Sequence, residues 1–198
     1  MSQIDTNLLI AWGAVARKYE KGETLFWEGD LAYFYFQILT GSVRVFNIND
    51  EGREYTQGLF NAGQSFGEPP LFFQGHYPAS AVTTSESVIY KLQADSFHRL
   101  LSEYHDLQGR FNVLFARRLY DKSCMAREMI NSPESRIIAF LTRVKLAMGG
   151  KPEQRIRIPY TRQEIANSTG LRVETVIRTL KRMVTENKVG IKGHKLFY

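Results

Sequence analysis

Residues 161–187 read TRQEIANSTGLRVETVIRTLKRMVTEN, and the second half of this stretch carries side chains of the kinds that read bases. Arg178 offers a planar fork that matches O6 and N7 of guanine. Glu174, four residues earlier, can accept from a cytosine amino group, and Val173 and Thr175 can meet a thymine methyl group or a phosphate. Arg162, Gln163, Lys181 and Arg182 suit backbone phosphates, which position a protein without specifying sequence. Arg172 joins them on or beside the same exposed face. A carboxylate on a DNA-facing helix is electrostatically poor unless it accepts from a base, so Glu174 favours base reading over nonspecific contact. The plainer alternative is a helical hairpin whose charges are simply solvated.

Such side chains need two helices set at a fixed angle. Thr161 followed by Glu164 is a capping box and starts the first helix. Ile165 and the small Ala166 face inward, and Gly170 supplies the left-handed turn. The second helix is expected over residues 173–186, with Val176, Leu180, Met183 and Val184 buried. Residues 189–198 predict a two-strand hairpin with Gly193 and His194 at its tip, whose Lys192 and Lys195 reach phosphate. The layout is a helix-turn-helix followed by a wing.

Charge points the same way. Residues 1–103 hold 7 Lys/Arg against 12 Asp/Glu, a net of −5, and residues 104–198 hold 19 against 8, a net of +11. A basic half beside an acidic half implies a polyanion partner for the basic half alone.

The upstream chain is organised to support this segment. Turn signals every 8–12 residues separate short aromatic and β-branched runs at 24–27, 33–39, 43–48, 55–60, 79–83 and 88–92. They predict a small antiparallel jelly roll or barrel. Leu8, Leu9, Trp12, Val15 and Tyr19 follow helical spacing ahead of it. Helical patterns follow at 94–102 and 106–130. A helix of about 25 residues is about 37 Å long, which suits a domain bridge or a pairing seam. Leu107, Phe111, Leu114, Arg118 and Met125 recur along it at threes and fours. Ser132 and Pro133 cap and open a further helix to about residue 148, which the run from Gly149 to Pro152 ends. Residues 155–158 alternate basic and apolar, as a strand does. The domains expected are therefore a sensor over 1–103, a long helix over 104–131 and a winged helix over 132–198.

In order, these features resemble the CRP/FNR superfamily of bacterial transcription regulators. The resemblance rests on the helix-turn-helix, on Gly41-Ser42-Val43 and Phe66-Gly67-Glu68 in the jelly roll, and on Ala116-Arg117-Arg118-Leu119 in the long helix. It implies an α+β fold in which an N-terminal jelly roll, a long dimerisation helix and a C-terminal winged helix follow one another. It also implies a homodimer seamed by the long helix, a palindromic site in double-stranded DNA, and RNA polymerase as a partner. The family's recognition positions fall on Val173, Glu174, Ile177 and Arg178. The Val-Glu-Thr followed by Arg is more like the FNR branch, implying half-sites with a TGA core, and Ile177 stands where that family often has Ser or Gly.

The sensor carries fewer signals. By resemblance the effector pocket falls on Gly67, Glu68, Ala79, Ser80, Lys122 and Ser123. Where cyclic-nucleotide members have an arginine for the phosphate, this chain has Ala79, and Pro69 and Pro70 remove two backbone donors. Losing that cation forfeits a bond worth about 1.5–3 kcal/mol, so a cyclic nucleotide is not expected. Lys122 is a candidate substitute cation. The single Cys124 excludes an iron–sulfur cluster ligated within one chain. Haem is left open through His76 and Cys124, against the simpler reading of a turn histidine and a packed thiol. The four histidines show no zinc spacing, so no metal is expected.

Other classes fare worse. There is no G-x-S-x-G, no P-loop and no pair of catalytic carboxylates, so an enzyme is not expected. No apolar run approaches the roughly 18 residues of a membrane span, and residues 1–20 lack a basic signal-peptide start, which together point to the cytoplasm. The competing class is a small-molecule sensor module, for a cyclic nucleotide or haem, whose basic half docks a protein.

Overall fold

Gly13, at φ +90°, divides the first structural element from the second and overturns one expectation. In this computed structural model, which describes residues 4–151 and 153–198, the N-terminal helix α1 is only Thr6–Ala11, capped by Asp5. Val15–Tyr19 is not its continuation but a strand, β1, paired antiparallel from Val15 opposite Lys91 to Tyr19 opposite Ser87. Apolar residues at 12, 15 and 19 fit a helix, but Val15 and Tyr19 fit an alternating strand equally well. A partner edge decides for the strand.

The aromatic runs form β2 (Thr24–Phe26), β3 (Phe34–Thr40), β4 (Ser42–Ile48), β5 (Glu54–Asn61), β6 (Ser65–Phe66), β7 (Ser80–Thr83) and β8 (Ser87–Gln93). They make two four-stranded sheets in the orders β1-β8-β3-β6 and β2-β7-β4-β5. Both sheets supply one core, with Phe26, Phe36, Ile38, Val43, Phe66, Ala81 and Ile89 buried, as the jelly roll requires. Strand β6 and a 3-10 turn over Pro69–Phe73 went unread in the sequence because neither is long enough to show a period.

Helix α2 (Ala94–Glu103) and the long α3 (His105–Glu128) follow. The chain divides into two compact units inside α3. The first runs through Glu51 and over Thr56–Arg118; the second holds Gly52–Tyr55 and Leu119–Tyr198.

The second unit is built from α4 (Pro133–Ala147), β9 (Arg157–Ile158), α5 (Arg162–Thr169), α6 (Val173–Thr185), β10 (Gly190–Lys192) and β11 (Lys195–Phe197). Ser132 caps α4 as expected, its Oγ accepting from the Ser135 amide. Pro152, part of the stop expected after α4, lies outside the described residues, as do the first three residues of the stretch searched for a signal peptide. The strand expected at 155–158 is reduced to two residues, which pair with β11 in a sheet ordered β10-β11-β9. Ile137, Leu141, Ile165, Val176, Leu180, Met183 and Leu196 close its core.

Candidate nucleic-acid interface

The turn that sets the two helices is formed as its local chemistry dictates. Thr161 Oγ1 accepts from the Glu164 amide at 3.1 Å, and Glu164 Oε2 accepts from the Thr161 amide at 2.6 Å. Two of the orphan amide groups at the start of α5 are satisfied reciprocally. Gly170 follows α5 at φ +62°, ψ +27°, the left-handed conformation that residues with a Cβ reach at a cost. Helix α6 then buries Val176, Thr179, Leu180 and Met183, while Arg172, Glu174, Ile177, Arg178, Lys181 and Arg182 are exposed. Val173 and Thr175 are half-buried beside them, and Gln163 is exposed on α5.

The cations on this side fall into two groups. Arg157, Arg162, Arg172, Arg178, Lys181, Lys192 and Lys195 have no carboxylate partner among the described residues. Arg182 differs from expectation. Its guanidinium is held by Glu134 at 2.7 Å and Glu186 at 3.8 Å, and Lys188 joins the same cluster. A cation so engaged is a poor phosphate contact, because binding DNA would first break these pairs. The correction could not be read locally, since Glu134 is 48 residues away.

Between α6 and the hairpin lies a groove of about 630 Å³ lined by Arg157, Tyr160, Arg162, Ile177, Lys181, Ile191, His194 and Lys195, among others, and by no acidic side chain. Partial burial lowers the pKa of Arg162 below the usual arginine value, though nowhere near enough to discharge it at neutral pH. Arg157 and Tyr160 were missed in the sequence. The basic and apolar alternation at 155–158 pointed to the strand but not to its place at the groove. The hairpin tip is Gly193-His194, both at positive φ, as a two-residue turn between antiparallel strands demands.

The residues expected at the effector pocket are placed differently. Glu68 is fully buried, and Arg118 donates to its Oε2 from Nη1 at 2.8 Å and to the Ser65 carbonyl from Nη2 at 2.6 Å. Arg118 was expected on the dimer seam; it is instead the counter-ion of the sensor's buried carboxylate. Around Gly67 the space is filled. A Cβ there would stand 3.2 Å from the Phe26 ring and 3.3 Å from Tyr77, whose own rings stack at 3.7 Å. Burial raises the Tyr77 phenol well above its usual pKa. Ala79 and Ser80 are buried, with Ser80 Oγ accepting from the Glu28 amide. Lys122 and Ser123 belong to the second unit and are exposed; Ser123 bonds its own helix at Leu119.

The expected seam needs a larger correction. Leu107 and Phe111 are 3% and 2% exposed inside the core of the first unit, and Phe111 packs edge-on against Tyr35 and Phe97. Leu114 packs on that core, and Met125 lines a crevice with Glu128, Met129, Arg136 and Arg143. The large apolar residues that α3 leaves exposed are others, with Val113 54%, Leu119 69% and Tyr120 70% accessible. The sequence reading chose the more apolar stripe, and the more apolar stripe serves the chain's own core.

His76 is exposed, with Nδ1 against the Gly29 carbonyl at 2.8 Å, and Cys124 is a half-buried free thiol. Among the described residues no group of three or more His, Cys, Asp and Glu side chains is gathered as for a metal ion. No described helix is long and apolar enough to cross a membrane.

A jelly-roll unit joined by a long helix to a winged helix-turn-helix with a basic, acid-free groove defines a class of DNA-binding regulator. Comparison with known proteins agrees. Residues 16–104 match the cyclic nucleotide-binding domain family and residues 135–196 the Crp-like helix-turn-helix domain family. The fumarate and nitrate reduction regulatory protein of Salmonella typhi is 27% identical over 177 residues, covering 88% of this chain and 70% of that protein. The cyclic AMP receptor protein of Thermus thermophilus is 29% identical over 174 residues, covering 87% and 78%. In structure, the c-di-GMP responsive global regulator CLP of Xanthomonas campestris superposes with a TM-score of 0.82 at 20% identity, covering 97% of this chain and 98% of that one. The chain belongs to the CRP/FNR superfamily and is a DNA-binding transcription regulator of that type.

Proposed function

We propose that the protein acts as a homodimer that reads a palindromic duplex site through α6, with the jelly roll modulating its activity. The observation that carries this reading is the acid-free groove beside a row of unpaired cations. Seven cations gathered on one side without carboxylate partners repel one another, and a polyanion relieves that repulsion. Arg178 reads guanine, Glu174 reads a cytosine amino group, and Ile177, 40% exposed, meets a thymine methyl. Arg157, Arg162, Gln163, Arg172, Lys181, Lys192 and Lys195 hold phosphates, and the backbone N–H groups opening α6 add to them. Val173 and Thr175 support the reading edge.

The two copies pair through apolar side chains that α3 leaves exposed, among them Leu119 and Tyr120. RNA polymerase is the further partner, and a DNA-bound role places the protein in the cytoplasm. The effector is not a cyclic nucleotide. The Thermus relative is named for cyclic AMP, but here Arg118 takes Oε2 of Glu68, the residue at 79 is alanine rather than a cation, and stacked Phe26 and Tyr77 crowd Gly67. This donor set does not fit a cyclic phosphate and ribose.

The test is selection of duplexes from a random pool by the full chain, followed by titration of the enriched site against scrambled duplex at several salt concentrations. The expected result is steep salt dependence together with discrimination that competitor DNA does not abolish. Equal affinity for both duplexes would overturn the proposal.

A further inference from the structure

The glycine between α5 and α6 is constrained twice. Its φ of +62° disfavours a side chain, and the space a side chain would need is already taken. A Cβ at Gly170 would lie 2.9 Å from Arg136 Nη2 and 3.2 Å from Met129 Cε.

Arg136 stands in the first turn of α4, far from α5 in sequence. Its Nη2 donates to the carbonyl of Thr169, the last residue of α5, and lies 2.9 Å from Met129 Sδ. The last carbonyls of a helix have no partner within it and carry the negative end of its dipole, so a guanidinium there both completes a hydrogen bond and complements the field. Thr169 does not cap itself, because its Oγ1 donates back to the Ile165 carbonyl. Arg136 Nε is buried without a partner among the described residues, so the fork is held by its far end alone. Met129 follows the end of α3, and that end is strapped to α4 by Arg143, which holds both oxygens of Glu128 at 2.6 and 2.7 Å. The α3–α4 elbow and the turn of the helix-turn-helix therefore meet at one guanidinium.

Resting on the DNA-reading function above, we infer that Arg136 is a positioning residue for the recognition helix. Only Gly170, Leu171 and Arg172 separate Thr169 from the start of α6. The path from Gly170 to Arg178 rises about 10 Å, so a tilt of about 10° carries Arg178 sideways by close to 2 Å, enough to break a bidentate bond to a base. Arg136 sets that tilt from the elbow, and a displacement of the elbow reaches the reading edge through it.

The experiment uses the full chain, the duplex enriched by the wild type, and Arg136→Ala, Arg136→Lys, Gly170→Asn and the double variant Arg136→Ala/Gly170→Asn. Circular dichroism checks that each is folded. Asn tolerates the left-handed conformation but carries the Cβ that meets the guanidinium. Arg136→Ala is expected to lose about tenfold in the ratio of specific to scrambled affinity, with Arg136→Lys intermediate and the salt slope unchanged. Gly170→Asn should cost about tenfold in the wild type and less than about threefold once Arg136 is gone, the non-additivity of residues in contact. If Arg136→Ala keeps wild-type discrimination, if the two changes add, or if the salt slope drops by about one, the inference fails while the DNA-reading function stands. A wild type that binds both duplexes alike overturns that function, and the inference with it. If Arg136→Ala does not fold, the Arg136→Lys and Gly170→Asn arms decide: the inference requires lowered discrimination at an unchanged salt slope in both.

Discussion

The groove of the second unit and the buried cluster of the first treat their charges in opposite ways. In the second unit Arg178, Lys181, Lys195 and their neighbours stand without carboxylate partners around an acid-free groove. In the first unit Glu68, the one fully buried carboxylate among its described residues, is paired at Oε2 by Arg118 of the same chain. A surface that leaves charge unpaired is poised for a charged partner, whereas a cluster that pairs its own charge is poised to stay shut. Arg118 engages Oε2 of Glu68, while Oε1 is buried without a partner among the described residues.

The sharpest way to break this contrast is at the closed end. Arg118→Ala leaves a buried carboxylate without its cation and should destabilise the chain by about 3–5 kcal/mol, read as a lowered midpoint in urea. Glu68→Gln removes the charge but keeps an oxygen that can accept from Arg118, and should cost clearly less. Equal losses would mean that the pair contributes shape rather than charge.

Next in size is the distinction between the two stripes of α3. Phe111→Asp places a carboxylate in a closed aromatic core and should cost about 3 kcal/mol or more. Tyr120→Asp should leave the unfolding midpoint of the monomer nearly unchanged and lower the mass found by light scattering. The reverse pattern would return the seam to the buried stripe.

Smaller effects test the open end. Arg178→Ala should weaken binding by about 1–3 kcal/mol and relax discrimination at one base pair, while Lys195→Ala should weaken all duplexes alike and lower the salt slope by about one. Selectivity kept in the first, or altered in the second, would exchange their roles.

The smallest effect concerns acid. The hydrogen bond from Lys188, with help from Arg182, holds the Glu134 carboxyl below its usual range. A carboxyl whose folded pKa is depressed contributes stability above its unfolded value, here the ordinary 4.5, and that contribution is lost as pH falls through the lower folded value. Glu134→Gln should therefore flatten the acid limb of the stability curve below about pH 4.5 and leave the neutral limb little changed in slope. An acid limb identical to the wild type would show that the cluster is fully screened.

What could be read in advance follows the range of the interaction concerned. The capping box of Thr161 and Glu164 spans three residues, and Gly170 answers a backbone demand at its own position, so both were legible. Strand runs with β-branched and aromatic residues were legible within a residue or two at their ends. Val15 and Tyr19 were misread because a helical and an alternating pattern share those positions. On α3 the spacing of Leu107, Phe111, Leu114 and Met125 revealed an apolar stripe but not what would cover it.

From the chain alone came the order of elements, the helix-turn-helix with its cap and turn, the basic character of the reading face and the absence of a phosphate-binding arginine at Ala79. Those depend on residue types and on neighbours within one or two turns. Only the tertiary structure decided which cations are unpaired, because Arg178 and Arg182 look alike until Glu134 arrives from 48 residues away. It also made Arg118 the counter-ion of Glu68, left Val113, Leu119 and Tyr120 exposed on α3, and set Arg136 against Gly170. In each case a long-range contact chose among roles that the residue type left equal.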